Sequence, residues 1–97
     1  MNKIETLSLI TGVFTDEEAK EVLMNIYLTK IQFQEMNNFS FQERFGKQDQ
    51  KSITRISELK VEIKKMLSII SEAKVQNKNL VIFSEINLQL LDNNVAN

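Results

Sequence analysis

The sequence predicts an α+β fold in the order β-α-α-β: an antiparallel two-helix hairpin whose N- and C-terminal strands pair as an antiparallel ribbon. Three observations predict it. A capping box opens a long apolar-periodic segment at Thr15. A second long segment places its apolar residues at alternating steps of three and four, and a short apolar run stands near each end of the chain.

The first run is Ile4 to Ile10, where Glu5, Leu7 and Leu9 alternate weakly with Ile4, Thr6, Ser8 and Ile10. We read it as a strand. A short helix there is the alternative, and it would make the chain an all-α three-helix bundle. Gly12 suits a turn from this strand into the first helix.

The first helix is expected over residues 15–38. In Thr15-Asp16-Glu17-Glu18 the Thr15 hydroxyl can accept from the Glu18 amide while the Glu18 carboxylate reaches back to Thr15. The three acids sit in the first turn, where the helix dipole favours negative charge. Ala19, Val22, Leu23, Ile26 and Phe33 form one apolar line, and Met24, Leu28 and Ile31 a second, with Tyr27 between. So wide an arc calls for partners on two sides, the second helix on one and a sheet or second subunit on the other.

Residues 39–51 read as a long connection holding three of the six phenylalanines. Ser40-Phe41-Gln42-Glu43 is a second capping box, giving one helical turn that ends at Gly46 with Phe41 and Phe45 on one side. Phe39, Phe41, Arg44, Phe45 and Lys47 are the candidate partner surface, since Phe and Arg are enriched at interface centres. The competing reading is a structural lid over the open end of the hairpin. The stretch from Phe39 to Asp49, following Phe14-Thr15-Asp16-Glu17-Glu18-Ala19, resembles short uncharacterised bacterial proteins of Bacteroidota. That resemblance implies no activity.

The second helix is expected over residues 52–76. Ile56, Leu59, Ile63, Met66, Ile70 and Ala73 make a heptad seam that is short for a free coiled coil and suited to packing on the first helix. Asn77 and Asn79 tolerate the left-handed backbone beyond a helix end. The closing strand, residues 80–91, starts as a continuous apolar run and then alternates, with Ile86, Leu88 and Leu90 on one face and Asn87 and Gln89 on the other. Its first part is expected to be buried on both sides. Residues 92–97 read as a tail.

A lone two-stranded ribbon is marginal in water, and a long terminal strand exposes an unpaired edge. The chain is therefore expected to form a homodimer that joins two ribbons into a four-stranded sheet. Its size supports this: 97 residues make one small domain, and such chains bury only roughly 60–65 % of their unfolded surface. With no cysteine there is no disulfide to reinforce the core, and with no histidine or cysteine the usual zinc ligands are missing.

Apolar residues make up 42 % of the chain and charged residues 26 %, a balance for a folded rather than a disordered protein. Neither a signal peptide nor a membrane span is read in it, so a cytoplasmic protein with no membrane association is expected. Histidine and cysteine are absent, and Gly12 and Gly46 stand alone rather than in a phosphate loop. Asp16, Glu17, Glu18 and Glu43 have roles at helix starts, and Glu85 reads as an edge charge that discourages aggregation. We therefore expect no enzyme, no catalytic residue, no metal and no cofactor.

The net charge of −1 hides an asymmetry. Residues 1–50 carry five basic and eight acidic groups, and residues 51–78 carry seven basic and three acidic. The simplest account is charge complementarity within the hairpin. The alternative is a nucleic-acid face along a basic flank of Lys51, Arg55, Lys60, Lys64 and Lys74, interrupted by Glu58, Glu62 and Glu72. The leading expectation is a small non-catalytic interaction module that pairs with itself or with another protein.

Overall fold

The computed structural model describes residues 3–93. Strand β1 (Ile4–Phe14), helix α1 (Asp16–Phe45), helix α2 (Gln50–Val75) and strand β2 (Leu80–Gln89) follow in that order, and the strands form a two-stranded antiparallel sheet. The three-helix alternative is excluded. Of the tail expected at 92–97, residues 94 onward lie outside the described residues.

The helix ends are closed locally, by a capping side chain at the start of α1 and by backbone bonds at the end of α2. The Thr15 hydroxyl accepts from the Glu18 amide at 3.1 Å, and a Glu18 carboxylate oxygen accepts from the Thr15 amide at 2.9 Å. At the far end of α2, Asn77 adopts φ 54°, its amide donates to Lys74 O, and the Lys78 amide donates to Ala73 O at 2.8 Å. That pair of bonds is the Schellman pattern, which satisfies carbonyls a helix end leaves free.

The sequence-based boundaries need three corrections. First, α1 does not stop at Asn38 but runs to Phe45, so the long connection expected at 39–51 shrinks to residues 46–49. Asn37, Asn38 and Ser40 are weak helix formers, costing together about 2 kcal/mol against alanine. Contacts with the next helix offset that: Asn38 Oδ1 accepts from the Asp49 amide at 2.8 Å, and Phe41 is half-buried. Ser40 is therefore interior to a helix rather than a cap. Gly46 ends it in the left-handed conformation, φ 69°, its amide donating to Gln42 O at 2.8 Å. Second, α2 starts at Gln50 and ends at Val75 rather than spanning 52–76, because Asp49 is its N-cap.

Third, β1 continues past Ile10 to Phe14, and β2 ends at Gln89 rather than Leu91. Gly12 lies within the strand rather than in a turn, at φ 157°. The register explains the weak alternation of β1. Ser8 pairs with Glu85 and Ile10 with Ser84, leaving Leu9 as the extra residue of a bulge. Leu7 before the bulge and Ile10, Gly12 and Phe14 after it therefore share one face, opposite Ile86, Ser84, Ile82 and Leu80. The other face carries polar links at its free end: Thr6 Oγ1 donates to Asn87 Oδ1 at 2.9 Å, and the Ser8 and Thr11 hydroxyls are 2.9 Å apart.

The seam of α2 packs against α1 as its spacing predicts, with Leu59, Met66, Ile70 and Ala73 buried. At the base of the hairpin Ala19, Met66 and Ile70 form the main cluster, and Phe14, Leu80 and Ile82 of the ribbon pack on it. Beyond that contact the ribbon projects. The molecule spans 50 × 39 × 15 Å, and its radius of gyration is 17.4 Å. A spherical domain of this length would have about 12.5 Å.

Candidate interaction surface

Continuing α1 through Phe45 decides where the phenylalanines go. A helix turns about 100° per residue, so Phe39 and Phe41 lie roughly 200° apart, on opposite sides of α1. Phe41 faces inward, while Phe39 and Phe45 are 58 % and 60 % exposed. The candidate surface is thus divided. Phe41, Arg44 and Phe45 share a shallow concavity of about 310 Å³ with Asn37, Ser40 and Asp49, whereas Phe39 turns away and Lys47 stands on the exposed loop. Phe41 and Phe45 are four residues apart on one side, with ring centroids at 4.6 Å and a tilt of 47°.

The floor of this tip is fixed by Asp49. Its carboxylate accepts from the Lys51 amide at 3.2 Å and from the Ser52 hydroxyl at 2.8 Å, while its amide donates to Asn38. Ser52 is 2 % exposed, so Asp49 is the group that satisfies a buried hydroxyl. This knot joins the end of α1 to the start of α2. It holds the aromatic pair in one position relative to both helices.

The basic flank is divided as well. Helical spacing puts Lys60, Lys64 and Lys74 on one side of α2 and Lys51 with Arg55 on the other. Arg55 Nη1 lies 3.3 Å from Glu58 and 3.5 Å from Glu62. Lys74 and Lys20 line, with Asp16 and Glu17, a hollow of about 450 Å³ at the hairpin base. Glu62 also accepts from the Tyr27 hydroxyl at 3.0 Å, a link between the helices. Burial of the ring, followed by that hydrogen bond to a carboxylate, raises the Tyr27 pKa above the ordinary tyrosine value.

One feature escaped the sequence reading. Leu80, Val81, Ile82 and Phe83, four consecutive residues of β2, line an apolar cleft of about 260 Å³ with Leu23, Met66, Ile69 and Ile70. No β1 residue takes part, so the cleft runs along the free edge of β2. The first part of β2 is not buried on both sides as expected: Val81 and Phe83 are 78 % and 71 % exposed. Ile69, outside the heptad seam, and the apolar start of β2 were the available signals; the sequence does not show that the two meet.

The exposed apolar area is large. Leu7, Leu9, Ile86 and Leu88 on the ribbon and Leu28, Phe33 and Met36 on α1 are each about half exposed or more, except Ile86 at 37 %. The accessible surface totals 8155 Å² for a chain of 11.3 kDa. A monomer of that mass is expected to expose about 5,700 Å². Among the described residues no helix is long and apolar enough to cross a membrane.

No family model, no curated protein and no solved structure matches this chain in comparisons with known proteins.

Proposed function

We propose that the protein is a non-catalytic interaction module that works as a homodimer, presenting an aromatic and arginine patch at the tip of each helical hairpin. The observation that carries the reading is surface. The chain exposes 8155 Å², about 2,400 Å² more than a compact monomer of its mass. A stable dimer typically buries about 800 Å² on each partner, and obligate ones more, so the excess is of the size an obligate interface removes. Many of the exposed apolar residues lie on the ribbon, among them Leu7, Leu9, Val81, Phe83, Ile86 and Leu88, where a second chain could cover them.

The tip patch of Phe41, Arg44 and Phe45 lies at the opposite end of the hairpin from the ribbon. Self-association through the ribbon leaves it free for another protein. The divided basic flank and the ion pairs of Arg55 favour this reading over a nucleic-acid face. The test is the mass in solution across a wide range of concentration. A mass of two chains at every concentration supports the reading, and a stable single chain rejects it.

A further inference from the structure

We propose that the cleft along the free edge of β2 is filled by β2 of a second copy, antiparallel about a two-fold axis at Ser84. This rests on the homodimer proposed above and specifies the edge, the register and the residues that meet. The product is a four-stranded antiparallel sheet in the order β1-β2-β2-β1. The same edge serves both copies, so the assembly closes at two.

The two edges of the ribbon are unequal. β1 carries the bulge at Leu9, and at its start Glu5 lies with its carboxylate 3.8 Å from the ammonium of Lys3, just before the strand. Bulges and edge charges are the usual means by which a strand resists pairing with another chain. β2 has no bulge, and it is floored by Ile69, which is 49 % exposed. Its one charge is Glu85, which an axis at Ser84 sets beside Phe83 of the other copy rather than beside a second charge. A strand laid against it gains hydrogen bonds and apolar cover together. The edge built to accept a partner is β2.

The register follows from the pleat. Leu80, Ile82, Ser84, Ile86 and Leu88 share the face turned toward the helices. Pairing must keep that face common, because a shift of one residue would send every apolar side chain to the wrong side. Three centres within the strand then merit comparison. A centre on Glu85 would set two carboxylates directly opposite each other, which is destabilising. A centre on Phe83 would set Leu88 against Lys78, outside the strand. A centre on Ser84 sets Leu88 beside Leu80, Ile86 beside Ile82 and Glu85 beside Phe83. Ile86 and Leu88, 37 % and 53 % exposed and not covered by their own hairpin, then lie over the cleft of the partner. Each copy supplies what the other lacks.

The chain has no cysteine, so single-cysteine variants test the register without background. Facing residues in an antiparallel pair have Cα atoms roughly 4.5–5.5 Å apart, within disulfide range. Ser84→Cys should therefore oxidise to a linked dimer at low protein concentration. Phe83→Cys and Glu85→Cys should not, since each would stand about 8 Å from its own copy, two residues out of register. Ile86→Glu, a change at a side chain already accessible in the single chain, should keep the circular dichroism and weaken the dimer at least 100-fold.

A wild-type dimer in which Phe83→Cys or Glu85→Cys links, or in which Ser84→Cys fails to link, overturns the register and leaves self-association standing. A dimer unaffected by Ile86→Glu overturns the edge itself. A wild-type monomer overturns both readings.

Discussion

Asp49→Ala isolates the knot that sets the tip of the hairpin. Two losses combine in it. The cap on the first turn of α2 disappears, which costs about 1 kcal/mol. The Ser52 hydroxyl, in a residue 2 % exposed, loses the carboxylate it donates to, at about 1–3 kcal/mol. The sum is about 2–4 kcal/mol, and for a domain of this size each kcal/mol moves the melting temperature by about 4–8 °C. Urea unfolding at one fixed protein concentration, followed by circular dichroism, measures it. The second loss is separable: with Ala at position 52 there is no hydroxyl to strand, so adding Ser52→Ala to Asp49→Ala should recover 1 kcal/mol or more. An Asp49→Ala protein within about 0.5 kcal/mol of wild type, or a double variant no better than the single, would refute the reasoning.

Two further predictions concern the same hairpin. Phe41 is half-buried and Phe45 is 60 % exposed, so Phe41→Ala should cost about 2–3 kcal/mol and Phe45→Ala about 1 kcal/mol or less; equal costs in urea unfolding would mean that both rings are structural and that neither is presented. The pKa of Tyr27 is raised on folding, so its contribution is complete below the unfolded value near 10 and is lost as pH rises from there through the folded value. The urea midpoint of wild type should therefore fall faster than that of Tyr27→Phe above about pH 10, and parallel profiles would show that burial and the bond to Glu62 do not raise the Tyr27 pKa on folding.

The elements were legible because each carries a local signal. Thr15 and Glu18 cap a helix with no help from tertiary structure, and the spacing from Ile56 to Ala73 can bury only one face of one. The alternation from Ile86 to Gln89 is that of a strand. What failed was set by long-range contacts. Asn38 looks like a helix stop until its amide oxygen is seen accepting from Asp49, and Leu9 blurs the pattern of β1 because a bulge reverses the parity on either side. Once α1 is continuous to Phe45, helical geometry separates Phe39 from Phe41, a separation that a loop would not impose. The cleft of β2 was hidden for the same reason. Ile69 and Phe83 line the same cleft although they stand on different elements, a meeting that no local pattern announces.

The central claim is that this chain is half of a structure. Light scattering behind size-exclusion chromatography, over a thousandfold range of concentration, measures it most directly. The expected result is the mass of two chains throughout, with the apolar surface of Ile86 and Leu88 covered by the second copy. A well-folded species of 11.3 kDa at every concentration would contradict it.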